Sequence, residues 1–167
     1  MNENGEVLKQ GDEGEVCIKG ENVTVGYDNN EEANKTSFTN GWFRTGDQGY
    51  FDKEGYLKIS GRLKEIINKG GEKISPLEVD NVLMDHPFID QAVCFGYDDK
   101  MLGENIAGAI IIKSGETCSE NDGLQYAQEK LAKFKIPKKI FFVEEIPKGA
   151  TGKLQRNVLA KKFGLNN

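Results

Sequence analysis

Three short stretches hold the residues whose types and spacing could do chemistry. Arg44-Thr45-Gly46-Asp47 follows Gly41-Trp42-Phe43. Gly61-Arg62-Leu63-Lys64-Glu65 runs on into Asn68-Lys69-Gly70-Gly71-Glu72-Lys73-Ile74-Ser75-Pro76-Leu77-Glu78. The last is Ile146-Pro147-Lys148-Gly149-Ala150-Thr151-Gly152-Lys153-Leu154-Gln155-Arg156. Asp47 brings two acceptor oxygens, able to take paired hydroxyls, although an aspartate in a polar turn is the plainer alternative. Arg62 brings an always-charged planar fork, which could equally sit in a surface ion pair. Gly70-Gly71 lets another chain pass close by, or simply makes a tight turn. Lys153 follows a glycine on a loop that can approach a ligand closely, whereas a lysine at a helix start is usually solvated.

The elements that must position these residues are partly readable. Glu15 to Lys19 alternates as a half-buried strand, Gly41 to Arg44 starts another, and Glu31 to Phe38 suits a short helix. Tyr50-Phe51 and Tyr56 to Ile59 flank Asp52-Lys53-Glu54-Gly55, which predicts a hairpin with glycine at the positive-φ position. From about residue 62 onward strands and helices alternate. Ser75-Pro76-Leu77-Glu78 predicts a capping box opening a helix that Pro87 stops. Strands follow at Ala92 to Gly96, Ile106 to Ile112 and Lys139 to Val143. Ser119 with Asp122 opens a second helix, and Leu154 to Phe163 makes the last. The expected fold class is α+β: about three strands and three helices over residues 61–167, preceded by a β-rich stretch over residues 1–60. That stretch has too few apolar residues to be a domain, and reads as the end of something larger.

Composition excludes several classes of function. The 167 residues suit one domain, or a small domain with part of another; 37% are hydrophobic and 29% charged. A net charge of −5 offers no field for nucleic acid. No apolar run approaches the roughly 20 residues that span a bilayer, and the polar, acidic start is not a signal peptide. The terminal Gly164-Leu165-Asn166-Asn167 is not a peroxisomal tail, so a soluble, cytoplasmic chain is expected. Cys17, Cys94 and Cys118 form no C-x-x-C pair, and Cys17 and Cys94 read as buried thiols. The single histidine, His86, stands before Pro87 and reads as structural.

In this order and at these separations, the three stretches resemble the adenylate-forming enzymes, a family that includes acyl-CoA synthetases, luciferases and peptide-synthetase adenylation domains. The resemblance covers nearly the whole chain. It implies a ligase that converts ATP and a carboxylic acid to an acyl-adenylate, then transfers the acyl group to coenzyme A. It makes Lys153 the catalytic residue of adenylation, bridging the carboxylate and the α-phosphate. Asp47 and Arg62 become nucleotide-binding, with Lys73 near phosphates, and Gly70 and Gly71 line the coenzyme A path. Lys64 falls at the hinge of the family's small C-terminal lid domain. Mg2+ is implied with ATP, but no metal site is readable in this chain. Lys69 to Asp80 looks most like the 4-coumarate and oxalate CoA ligases, pointing to a short dicarboxylic or aromatic acid.

One departure from the family matters. The large N-terminal lobe, with its phosphate loop, adenine grip and acyl pocket, has no counterpart beyond its end in residues 1–60. As an isolated chain this is expected to be an inactive acid–thiol ligase part whose partner is the missing lobe. The alternative is a catalytically silent module that binds a nucleotide, coenzyme A or another protein.

Overall fold

The structure, a computed structural model, describes residues 1–149, 152 and 154–166. The chain forms two compact units, Met1–Lys64 and Glu65–Asn167.

The first unit contains β1 (Gly14–Ile18), α1 (Glu31–Ser37), β2 (Phe38–Thr39), β3 (Trp42–Phe51) and β4 (Leu57–Arg62). The long β3 is the spine of a four-stranded sheet and pairs antiparallel with each of the others. Asn40 and Gly41, with φ of 51° and 78°, make the two-residue turn between β2 and β3. The predicted β3–β4 hairpin is present. Asp52 Oδ1 accepts from the N–H groups of Glu54 and Tyr56, and Gly55 supplies φ of 86°. No apolar side chain of this unit is buried, and Val7, Val25, Phe51 and Tyr56 are each at least half exposed.

The second unit is α+β around a five-stranded sheet. Its elements are β5 (Ile67–Lys69), β6 (Glu72–Ile74), α2 (Pro76–Met84), β7 (Ile89–Asp99), β8 (Gly103–Ile112), α3 (Glu120–Lys130), β9 (Lys139–Phe142) and α4 (Arg156–Lys162). The order is β6-β5-β8-β7, with β9 parallel to β8. The three expected strands correspond to β7, β8 and β9, and the three helices to α2, α3 and α4. The short β5–β6 hairpin is additional.

Strands β7 and β8 read as near-continuous apolar runs because both their faces are covered. Ala92, Cys94, Ile106 and Ile110 pack with Val79 and Leu83 of α2 and Ala127 of α3. The alternate residues Val93, Phe95, Tyr97, Ala107 and Ala109 pack with Ile146 and with Leu159 and Ala160 of α4. Phe163 stacks on Phe141 and Phe95 on that face, with ring centroids 4.4 Å and 5.9 Å apart. Each large side chain so buried contributes about 1.5–3 kcal/mol.

Two helix starts test the capping expectations. At α3 the box is complete: Ser119 Oγ accepts from Asp122 N–H, and Asp122 Oδ2 accepts from Ser119 N–H at 2.9 Å. At α2 the expected box is not made. Ser75 occupies the cap position without a side-chain cap bond, and the Glu78 carboxylate is turned to Lys135, whose Nζ donates to both its oxygens at 2.7 Å. Helix α4 starts at Arg156 rather than Leu154, since Leu154 forms a bridge with Lys148. His86 is buried between the rings of Phe88 and Tyr126, a structural position. Cys94 is fully buried, and burial pushes its thiol well above the usual range, whereas Cys17 is only half-buried.

Candidate functional site

Asp47 and Arg62 face each other across the antiparallel β3–β4 pair, with Arg62 Nε 2.9 Å from Asp47 Oδ1. Both side chains keep access to water, 58% for Arg62 and 28% for Asp47, so the pair adds only about 0–1 kcal/mol to the fold. What holds the strand segment in shape lies behind it. Glu15 is buried on β1; its Oε2 takes Arg44 Nε at 2.7 Å, and its Oε1 accepts from Gly46 N–H at 3.1 Å. The hydrogen bond to Glu15 raises the Arg44 guanidinium above its ordinary pKa. Thr45 Oγ1 donates to Val16 carbonyl and accepts from Asp47 N–H. Gly46 has φ of 74°, a left-handed conformation that glycine adopts without cost. Alternation along β1 does not mark Glu15, since its partners Arg44 and Gly46 lie 29 and 31 residues away.

Gly70 and Gly71 form the two-residue turn of the β5–β6 hairpin, with φ of 62° and 92°. Gly70 N–H donates to Leu102 carbonyl at 2.7 Å, tying this turn to the β7–β8 turn. That second turn is organised by Asp99. Its Oδ1 accepts from Met101 and Leu102 N–H, and its Oδ2 accepts from Asn105 Nδ2. The Asn105 bond, then the two backbone bonds, hold the Asp99 carboxyl down from 3.8 to about 2. A folded value below the ordinary one means that the turn's stabilisation is present above the ordinary value of 3.8 and is lost as pH falls through about 2. Titration followed by carboxyl NMR should give that low midpoint, and Asn105→Ala should move it up toward 3.8. A midpoint already at the ordinary value in the unaltered chain would refute the turn's hydrogen bonding.

Lys73 lies exposed on β6, opposite Asn68, so it shares one hairpin with Gly70 and Gly71. Lys64 is exposed in the short 3-10 turn Leu63–Glu65, beside the boundary between the two units. Lys153 lies outside the described residues. The residues on either side of it are described. Ile146 is buried at 2% exposure, Pro147 carbonyl accepts from Gln155 N–H, and Lys148 bridges Leu154. Gly149 carbonyl accepts from Gly152 N–H at 2.9 Å.

Just beyond the loop, Arg156 is nearly buried and in contact with Glu65, Asp80 and the Cys94 carbonyl. Nothing in the local sequence marks Arg156 for this place, because its partners are 62 to 91 residues away. Among the described residues no group of three or more His, Cys, Asp or Glu is placed to hold a metal ion. Among them, too, no helix is long and apolar enough to cross a membrane.

Residues 78–153 match the family model of the AMP-binding enzyme C-terminal domain. An oxalate–CoA ligase from Arabidopsis thaliana is 52% identical over 163 residues, 98% of this chain and 32% of the relative. The probable CoA ligase CCL9 of Humulus lupulus is 54% identical over 160 residues, 96% of this chain and 30% of that protein. Among solved structures, ATP-bound MatB from Rhodopseudomonas palustris superposes with a TM-score of 0.90 at 34% identity, covering 97% of this chain and 32% of that one. The chain thus spans about a third of the length of the curated relatives it matches. By its fold, its motifs and these similarities, the chain is similar over nearly its whole length to the C-terminal part of CoA ligases, and residues 78–153 match the AMP-binding enzyme C-terminal domain.

Proposed function

We propose that this chain is the C-terminal part of an acyl-CoA ligase that activates a carboxylic acid with ATP and passes the acyl group to coenzyme A. The observation that carries the reading is the family match over residues 78–153, which ends on the lysine of the third motif. In this reading Lys153 stabilises charge gathering between the acid and the α-phosphate, Asp47 takes the ribose hydroxyls and Arg62 the adjacent phosphates. The solvent-accessible Asp47–Arg62 pair supports that role, since it contributes little to the fold and can exchange partners. Lys73 assists with phosphates. Gly70 and Gly71 border the path of coenzyme A, supported by a turn of two glycines at positive φ that presents backbone without side chains.

Residues 1–60 end the large lobe and residues 61–167 form the lid. The lack of any buried apolar side chain in the first unit supports this division, as does the unit boundary after Lys64, the proposed hinge. The acid proposed is a short dicarboxylic one, oxalate first, because two of the relatives with about half of the aligned residues identical are oxalate–CoA ligases. The chain acts in the cytoplasm and needs the large lobe to turn over.

ATP–pyrophosphate exchange over a panel of carboxylic acids tests the reading. The chain alone should give none, and the chain joined to the large lobe of an oxalate–CoA ligase should give acid-dependent exchange. A folded joined protein without exchange for any acid would leave the chain as a silent binding module. Exchange by the chain alone would overturn the requirement for the lobe.

A further inference from the structure

Arg156, the first residue of α4, has a guanidinium only 12% exposed and satisfied on three sides. Nε lies 2.9 Å from Glu65 Oε2, one of the two other nitrogens lies 2.9 Å from Asp80 Oδ2, and the last donates to the Cys94 carbonyl. Asp80 on α2 is 3% exposed, and its second oxygen accepts from Cys94 N–H. The two side chains therefore clasp both peptide groups of one residue on β7, the outermost strand of its side of the sheet. Unpaired strand-edge groups need partners, and here a buried ion pair supplies them.

A buried ion pair is weak evidence of stability, because apolar replacements of similar volume often do as well or better. What it gives here is position. One planar fork fixes three separate elements relative to one another: the 3-10 turn at Glu65, helix α2 and strand β7. Its own backbone adjoins Gln155, whose N–H closes the foot of the loop onto Pro147. The other foot is fixed independently by Ile146 in the core.

We infer that Arg156 is a positioning residue, which holds the C-terminal foot of loop 147–155 and the start of the second unit in a single rigid frame. Its relevance to catalysis rests on the role proposed for Lys153. The geometry of the clamp does not, so it is tested without substrate. Amide hydrogen exchange on the whole chain by NMR is compared for the unaltered protein, Arg156→Ala, and the paired variant Asp80→Asn/Arg156→Met. The paired variant leaves neither Asp80 nor Arg156 as an unpartnered buried charge.

A positioning role predicts that the Gly152 and Gln155 amides exchange about tenfold faster, relative to the β7–β8 ladder amides of Phe95 and Ala107, in both variants. A role in overall stability alone would speed loop and ladder together. Equal acceleration in a folded variant, or failure of both variants to fold, would overturn the inference. Because no acid, ATP or coenzyme A enters the measurement, its outcome is independent of whether the ligase reading holds.

Discussion

Lys153→Ala is expected to lower ATP–pyrophosphate exchange by about 10²–10³-fold in a protein that supplies the large lobe as well. The reason is the timing of charge. In the proposed role of Lys153, negative charge accumulates, as the acid attacks the α-phosphate, on atoms that an ammonium held there would meet, so removing it is expected to raise that barrier selectively. Transfer of the acyl group from supplied acyl-adenylate to coenzyme A builds its charge on the carbonyl oxygen and the departing AMP instead, and on the proposed role of Lys153 should fall far less. Lys153→Arg should not restore exchange, since a planar fork cannot occupy the place of a compact point charge. Measuring both half-reactions on the same preparation checks the prediction. Equal losses in the two steps would mean that the lysine serves the fold or general binding rather than adenylation.

A second large effect is expected at Asp80. Its replacement by alanine removes Arg156's more buried carboxylate partner and leaves Cys94 N–H without its side-chain acceptor. Breaking a buried pair on one side costs about 3–5 kcal/mol, a large share of a small domain's stability. Urea unfolding should show that loss for Asp80→Ala. Asp80→Asn, which keeps an acceptor for the Cys94 amide, should lose visibly less. A loss below about 1 kcal/mol for alanine would place the pair among ordinary surface interactions.

Much of this architecture was legible locally. The box at Ser119 and Asp122 could be read because both of its members lie within one helical turn and nothing distant competes for them. The same reasoning failed at Ser75 and Glu78, where Lys135, 57 residues on, takes the glutamate. Strands β7 and β9 announced themselves by apolar runs, but β5 and β6 are three residues each around two glycines, too short for periodicity to show. Asp47 and Arg62 stood out by motif, and the register of β3 and β4 brings them together. Glu15 and Arg156, which anchor the surrounding segments, were silent for a shared physical reason. A buried charge is recognised by its partner, and here each partner lies 29 or more residues away. For the fold-positioning role of such residues, sequence offers only an unexplained charge inside an otherwise apolar context.

The double-sided burial of β7 and β8 carries a consequence for biogenesis. A chain made from its N-terminus completes the sheet once β9 has joined β8, but Val93, Phe95 and Tyr97 stay only partly covered until Leu159 and Ala160 arrive with the final helix. A nascent or prematurely ended chain lacking that helix displays a contiguous apolar sheet face of the kind that chaperones bind and aggregates grow from. The lysine of the third motif precedes the same helix by only a few residues. A nonsense codon upstream of it would therefore remove the proposed chemistry and the cover for the sheet together, leaving an exposed apolar surface for quality control to recognise.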